Sequence, residues 1–302
     1  MSETVLITGA SGLIGKPLTA LLLQNGYAVT HLSRTAKSGV IKTYAWDTDK
    51  MKIDPEAVAT ADHIIHLAGA PIAEKRLTET RKKEITGSRV NSTRLLAEEI
   101  RRQNKILKTF VSSSAIGYYG MITGDHIYKE NDAPSGDFLG ECCRLWEEAA
   151  QPVGQTAARL VIIRVGVVFS SEGGALQQMA APVRWLAGAP LGNGKHWVPW
   201  IHMDDMCGIF LKAVQDKTMT GVYNAAAPGF ATNRTITKAI GSALRKPVFL
   251  PPVPRLVLAM MLGKEIAQMV TTGSRISCEK IMQAGYKFKF PELEPALKNL
   301  LG

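Results

Sequence analysis

The chain has 302 residues, 46% of them hydrophobic and 21% charged, so it can bury a sizeable core as one large domain or as a domain plus a lobe, and disorder is excluded as its default state. Its four cysteines, Cys142, Cys143, Cys207 and Cys278, show no CxxC pairing and no histidine at zinc-ligand spacing, which argues against a disulfide framework or metal site and fits a reducing compartment. The net charge of +10 is spread along the chain with no basic run interleaved with aromatics; a general positive field suits an anionic small molecule and gives no reason to expect nucleic acid. No run approaches the roughly 18 apolar residues of a membrane span, and a strand-like segment follows Met1 directly in place of a signal peptide. The expectation is a cytoplasmic protein without membrane contact.

The first half alternates short β-branched runs with helix-period segments, the signature of βαβ units and a parallel sheet. Residues 5–8 (VLIT) read as the first strand, 13–25 as a helix stopped by Gly26, 28–33 as the second strand and 62–67 as a later one. A long charged helix is predicted over 78–103, a buried strand over 107–112 leading into three serines, a helix over 136–150 and a β-rich run over 160–169. Gly and Pro become frequent from 173 to 199, which marks a candidate boundary. Beyond it the pattern predicts helices at 203–215 and 233–244 and a strand at 222–224; the apolar run 256–262 is too short to cross a bilayer and is expected to pack on the body or a partner. The domains are accordingly read as 1–172, dinucleotide-binding with later segments returning to it, 173–248, a substrate lobe with interleaved core elements, and 249–302, a separate C-terminal segment.

Gly9-Ala-Ser11-Gly12-Leu13-Ile14-Gly15 follows a predicted strand and opens a predicted helix. In that context the first glycine permits the tight turn, the second allows backbone to approach a pyrophosphate, and the third lets helix and strand pack closely, while free N–H groups at the helix start attract the anion. The second strand ends in Ser33 and Arg34, where an NAD site would place an acid for the ribose hydroxyls. A hydroxyl and a cation instead suit a 2′-phosphate, so NADP (NADPH) is the expected cofactor, the alternative for Arg34 being an exposed loop arginine.

With this turn, the segment His66-Leu67-Ala68-Gly69, the strand-end serines and the later string WIHMDDM, the chain resembles the extended short-chain dehydrogenase/reductase family of NAD(P)-dependent epimerase-like proteins over nearly its whole length. GSR at 87–89, SSSAIGYYG at 112–120, GDFL at 136–139, RVGVVF at 164–169 and a C-terminal segment from about Phe249 resemble its atypical YfcH-like branch. The resemblance implies a Rossmann-like, doubly wound α/β core with a smaller mixed α/β C-terminal lobe and an active site in the cleft between them. It also implies that Leu67, Ala68 and Gly69 line the cofactor, that Val167 meets its nicotinamide side, and that Glu84 and Arg89 border it. Glu84 and Arg89 are five residues apart, too far round a helix for a standard pair. Most extended members carry Asn where Arg89 stands here, and a cation there is suited to a phosphate or substrate, or is a solvated helix charge.

In the wider family a Tyr, with a Lys four residues on, transfers the proton. That register falls here on Phe138 and Cys142, neither of which can do so. Ser114 occupies the place of the family's hydroxyl donor, with a strand-end cap as the alternative; Tyr118 and Tyr119 each offer a phenol or simple packing. Glu141 and Cys143 are weaker candidates. From the lobe, Trp197 and Trp200 read as packing or as a substrate wall, His202 as a structural histidine, Asp204 and Asp205 as caps of a helix, and 192–195 as a mobile turn over the cleft. The expected catalytic residues are therefore Ser114 and Tyr118, in an NADP-dependent oxidoreductase or epimerase-like enzyme for a small polar metabolite, perceived as a homo-oligomer candidate. The alternative is an NADP(H)-binding sensor or regulatory protein without turnover.

Overall fold

Stretches rich in aliphatic and β-branched residues, punctuated by a few buried polar side chains, form the strands of the central sheet. The computed structural model describes residues 2–36, 39–72, 75–156 and 159–302. Its strands are β1 (Thr4–Thr8), β2 (Ala28–Ser33), β3 (Thr43–Asp47), β4 (Lys52–Ile53), β5 (His63–His66), β6 (Thr109–Ala115), β7 (Ile127–Tyr128), β8 (Arg159–Val165), β9 (Val167–Phe169), β10 (Trp200–His202), β11 (Gly221–Ala225) and β12 (Arg275–Ile276). Eight of these form one sheet in the order β11-β8-β6-β5-β1-β2-β3-β4, parallel except for β4 at the edge. The order reverses between β1 and β5, and the crevice beyond their carboxyl ends is where open α/β sheets take ligands. The Rossmann-like, doubly wound expectation holds.

The helices are α1 (Gly15–Gln24), α2 (Pro55–Ala59), α3 (Glu79–Arg102), α4 (Phe138–Gly154), α5 (Gly174–Arg184), α6 (Met203–Gln215), α7 (Asn233–Ala243), α8 (Arg255–Leu262), α9 (Lys264–Thr271), α10 (Glu279–Gln283) and α11 (Leu293–Leu301). Alternation along the strands feeds two cores. Val5 and Ile7 of β1 join Leu18 and Leu22 of α1 and Met206, Ile209 and Phe210 of α6, whereas Leu6 between them joins Leu95, Leu96 and Ile100 of α3 and Val153 of α4. Each such buried side chain contributes about 1.5–3 kcal/mol. Thr78 caps α3 by accepting the Arg81 N–H, and Asp137 caps α4 by accepting that of Gly140. The helix predicted over 136–150 thus begins at Phe138, because Asp137 is its cap. The β-rich run 160–169 is two strands, broken at Gly166, where a Cβ would lie 2.6 Å from the Pro199 carbonyl oxygen.

β9 leaves the main sheet to pair with β10, and together with α5, α7 and α11 they enclose a third core around Phe169, Trp200, Ile236 and Leu297. β11 and α6 return to the main body. The turn 192–195, expected to be mobile, is held by backbone bonds: Gly192 N–H donates to Val253, and Arg234 N–H donates to the Gly194 carbonyl. The run 256–262 is helix α8, with Leu258 buried on the body and Leu256, Met260 and Met261 exposed. Among the described residues no helix is long and apolar enough to cross a membrane.

Two buried polar centres tie this architecture together. Thr8 Oγ1 accepts the N–H groups of Leu67 and Ala68, each at 3.1 Å, so its single proton goes to His66 Nδ1 at 2.7 Å. His66 is therefore the neutral Nε2–H tautomer, and Nε2 lies 3.2 Å from Ser92 Oγ, whose own proton is directed to helix carbonyls. Burial, reinforced by the nearby Arg89 charge, holds the His66 pKa down at about 3. The second centre is Asp205 on α6. Its carboxylate accepts the Tyr286 hydroxyl at 3.0 Å and the N–H groups of Lys289 at 2.7 Å and Phe290 at 2.9 Å, while Asp204 pairs with Lys289 Nζ at 2.6 Å. His202 caps α6 by accepting the Asp204 N–H on Nδ1, and its Nε2 faces Asn299 Oδ1 at 3.1 Å, the arrangement of a structural histidine.

The His66 pKa is near 6.5 in the unfolded chain and about 3 in the fold, so its contribution to stability is complete above pH 6.5 and is lost as pH falls toward 3. Urea titrations should show stability declining from pH 7 to pH 5, with a shallower decline in His66→Gln; equal slopes in the two proteins would contradict the assignment. Asp205→Ala strips the Lys289 and Phe290 N–H groups of their acceptor, while the Tyr286 hydroxyl keeps the Asp205 carbonyl at 3.0 Å, and should lower unfolding stability by about 2 kcal/mol, read as a reduced urea midpoint; an unchanged midpoint would show that the clamp is not stabilising.

Candidate functional site

β1 delivers the glycine turn to the crevice at the point where strand order reverses. Gly9 has φ of +69°, and a Cβ on it would lie 3.0 Å from Ala68 N and Leu67 C; at Gly15 a Cβ would lie 2.5 Å from the Gly9 carbonyl oxygen. Gly12 N–H closes the turn onto that same oxygen at 3.0 Å. The glycine roles of close backbone approach and close helix packing are thus both present. Ser11, Gly12, Leu13 and Ile14 lie in the turn ahead of α1, whose Ile14 cap provides no side-chain acceptor. The first N–H groups of this helix have no intrahelical partner and present a positive dipole end to the crevice. Leu13 also meets the second lobe: a Cβ on Gly174, at the start of α5, would lie 2.8 Å from Leu13 Cδ2.

Ser33 ends β2 and makes a local turn with Thr35, its hydroxyl donating to the Thr35 carbonyl at 3.2 Å. Arg34 beside it is exposed, and among the described residues it takes part in no ion pair. Lys37 and Ser38, which follow, lie outside the described residues.

Across the crevice, Leu67, Ala68 and Gly69 leave the end of β5 over the Thr8 hydroxyl. Arg89 from α3 lies against them: a Cβ on Gly69 would be 3.0 Å from Arg89 Cζ. The guanidinium donates to the carbonyls of Ala70 at 3.0 Å and Ile85 at 3.1 Å and covers the Trp146 ring, 5.2 Å from its centroid. No carboxylate lies within ion-pair distance of it among the described residues. Glu84 does not share this environment: it is exposed and pairs with Arg81 at 2.6 Å, one turn back along α3. Val167 opens β9 beside the lobe, its N–H donating to Pro199 O at 2.8 Å.

The sequence candidates for proton transfer divide sharply. Ser114, at the end of β6, is buried, and its hydroxyl donates to Glu147 Oε1 at 2.6 Å. Glu147 is itself buried and accepts two bonds from Arg164, Nε to Oε1 and Nη2 to Oε2, both at 2.8 Å. Ser114 has therefore committed its only proton and can offer a ligand lone pairs alone. Arg164 also donates to the Tyr119 hydroxyl at 2.9 Å, which in turn donates toward Asn224 Oδ1 at 2.7 Å and Lys129 O at 3.0 Å. Burial pushes the Tyr119 phenol up to about 12. Tyr118 is different: it is half-buried, and the Arg164 guanidinium lies 3.4 Å from its ring centroid. The cation that the sequence left unidentified beside these tyrosines is Arg164, which meets one by its face and the other by its hydroxyl.

Phe138 sits in an apolar cluster with Cys142, Leu77 and Ile85, closed by Ile266, Met269 and Val270 of α9. Cys143 is buried and its thiol pushed up to about 12 by desolvation; Glu141 is exposed and paired with Arg144. Trp200 is packing, stacked on Phe169 with Nε1 donating to Gly229 O at 3.0 Å, whereas Trp197 stands half-buried beside Arg275, whose guanidinium lies 5.3 Å from its ring. Sequence reasoning missed Thr8, Glu147 and Arg164. A buried carboxylate and a buried arginine on separate elements leave no spacing signal; only an unusual charge in a helix's apolar stripe and in a β-rich run hinted at them.

Comparison with known proteins places these features in a family. Residues 5–226 match the NAD dependent epimerase/dehydratase family, and residues 253–300 match a domain of unknown function, DUF1731. The human epimerase family protein SDR39U1 is 34% identical, with 98% of this chain and 99% of the relative aligned, and the Bacillus subtilis epimerase family protein YfhF is 32% identical over 98% and 97%. The crystal structure of human SDR39U1 with NADPH superposes with a TM-score of 0.88 at 33% identity, covering 99% of both chains. A nucleoside-diphosphate sugar epimerase from Corynebacterium glutamicum gives 0.82 at 30% identity, covering all of this chain and 59% of that one. The chain belongs to the NAD dependent epimerase/dehydratase family, within the extended short-chain dehydrogenases/reductases.

Proposed function

We propose that this protein is an NADP(H)-dependent oxidoreductase or epimerase-like enzyme for a small polar metabolite, with proton transfer by a group other than the family's Tyr and Lys. The observation that carries the reading is the glycine turn packed against Leu67 and Ala68 at the strand-order reversal, with Arg89 on its far side and, among the described residues, no carboxylate within ion-pair distance of it. The residues present fit a dinucleotide. Gly9, Ser11, Gly12, Leu13 and Ile14 would hold the pyrophosphate with amide hydrogens, Ser33 and Arg34 the 2′-phosphate, Leu67, Ala68, Gly69 and Val167 the nicotinamide half, and Arg89 a negative group beside it. The human relative's crystallisation with NADPH supports the phosphorylated cofactor. Bound there, NADP would supply hydride exchange at its nicotinamide.

For the chain's own part in the chemistry, Tyr118 is the phenol with freedom to move a proton, its ring fixed by Arg164 and that cation fixed by Glu147. Ser114 orients rather than protonates, accepting a hydrogen bond because its proton is held by Glu147. A second reading, an NADP(H)-binding sensor without turnover, draws on the apolar packing of Phe138 and Cys142, which removes the usual acid and its cation together.

Calorimetry should show NADPH binding at least tenfold tighter than NADH, with Arg34→Ala weakening NADPH by about tenfold, the scale of one charge-assisted contact, and leaving NADH unchanged. Equal affinities would remove the phosphate assignment. Single-turnover oxidation of bound NADPH across a carbonyl and nucleotide-sugar panel should slow by about 100-fold in Tyr118→Phe, within the usual range for a general acid. Tight NADPH binding with no oxidation in the native protein favours the sensor.

A further inference from the structure

Lysines and arginines are spread along this chain, but carboxylates are not. Residues 173–203 and 217–264, which supply α5, β10, β11, α7 and α8, hold nine Lys and Arg and no Asp or Glu, whereas the rest of the chain holds 27 and 26. The net charge of +10 therefore resides almost wholly on this part of the molecule. All nine cations are exposed, and none takes part in an ion pair among the described residues.

The same part of the molecule turns an apolar helix face outward. In α8, Leu256 and Met260, and Val257 and Met261, stand at i and i+4 and form one stripe. Leu256 is 73%, Met260 66% and Met261 69% exposed, while Leu258 on the other side of the helix is buried. Surface helices of a folded body ordinarily place their polar residues outward. Phe249 and Leu250, in the lead-in to α8, are exposed as well, and the connection after α5, bridged to that lead-in through Leu191 and Val253, exposes Trp185. Arg245, Lys246, Arg255 and Lys264 are interspersed with these apolar side chains along the chain, and no acid occurs between Asp216 and Glu265.

Charge selects the occupant of this face. A second copy meeting it across a two-fold axis would set the surface against itself, cation to cation with no carboxylate from either side. A purely anionic polymer would answer the cations and leave the stripe in water. An anionic lipid surface answers both, because headgroups neutralise the cations while apolar side chains enter the acyl boundary and a tryptophan sits at the headgroup level. We propose that the α8 face, with its lead-in and Trp185, docks this protein peripherally on a membrane rich in anionic lipid. The absence of a spanning run, on which the expectation of no membrane contact rested, does not bear on a contact made at the surface. The contact is independent of the cofactor reading, since none of these residues borders the dinucleotide crevice.

The test is flotation of the full chain with vesicles of phosphatidylglycerol and phosphatidylcholine in equal parts, beside vesicles of phosphatidylcholine alone, with sedimentation velocity of the protein without lipid. The mixed vesicles should bind the chain about tenfold or more tightly than the neutral ones. Leu256→Ser/Met260→Ser should weaken that binding about tenfold or more, from lost apolar insertion. Arg255→Gln/Lys264→Gln should do the same, at roughly fivefold per cation, whereas Lys52→Gln/Arg101→Gln, which removes equal charge from exposed positions elsewhere on the body, should leave it within about twofold. Thermal midpoints report the folding of each variant; if the serine variant unfolds, the two charge variants decide. Equal binding to both vesicles, undiminished binding by a folded serine variant, or equal losses in the two charge variants overturns the proposal. Absence of binding to the mixed vesicles overturns it too, and a dimer that the serine variant dissolves would then assign the stripe to a second copy.

Discussion

Between Gly9 and the backbone of Leu67 and Ala68 there is space for a hydrogen atom and nothing larger. The rest of the site follows from that contact. It lets the turn after β1 lie against the end of β5, which brings the start of α1 to the place where the sheet's strand order reverses. The approach needs a polar fastening as well as an absent side chain, because without the Thr8 hydroxyl the Ala68 N–H would lack an acceptor and that of Leu67 would keep only the Thr8 carbonyl at 3.3 Å. Thr8 supplies the acceptor, His66 takes the threonine proton, and Ser92 of α3 meets the far side of the imidazole. A chain of neutral hydrogen bonds thus joins the first strand, the fifth and the long helix at the floor of the crevice. It does so without a buried charge, which would be costly there.

The centre beneath the tyrosines does use charge. Glu147 and Arg164 are buried together, and their bidentate geometry with Ser114 and Tyr119 as additional partners satisfies the groups that desolvation would otherwise penalise. This network turns the Ser114 proton inward, to Glu147. It also stations a guanidinium across the face of Tyr118. Phe138 and Cys142 lie under an apolar cap from α9, so the C-terminal segment and the start of α4 belong to one packing unit. That segment is bound in turn by Asp205 to α6.

The pattern of short aliphatic runs and helix-period segments was enough to read β1, β2, β5, α3, α6 and α7 nearly to their ends, because each is long or strongly periodic and carries its own cap or stop. β3, β7 and β12 escaped notice: two are two-residue pairings whose partners are 148 residues apart in sequence, and the third borders loops that dilute its alternation. For α8, apolar composition says that a surface seeks cover but not which neighbour supplies it.

The glycine spacing between a strand and a helix by itself determined the dinucleotide turn, because the requirement for absent Cβ atoms is local and written in seven consecutive residues. That Ser33 and Arg34 stand at the end of the second strand was legible for the same reason. Tertiary structure alone decided that Glu84 turns away to Arg81 while Arg89 stays by Gly69, that Ser114 gives its proton to Glu147, and that Arg164 attends Tyr118. These outcomes depend on which elements pack side by side, and the direction of a hydroxyl proton or the counter-charge of a buried ion is set by neighbours that lie tens of residues away along the chain.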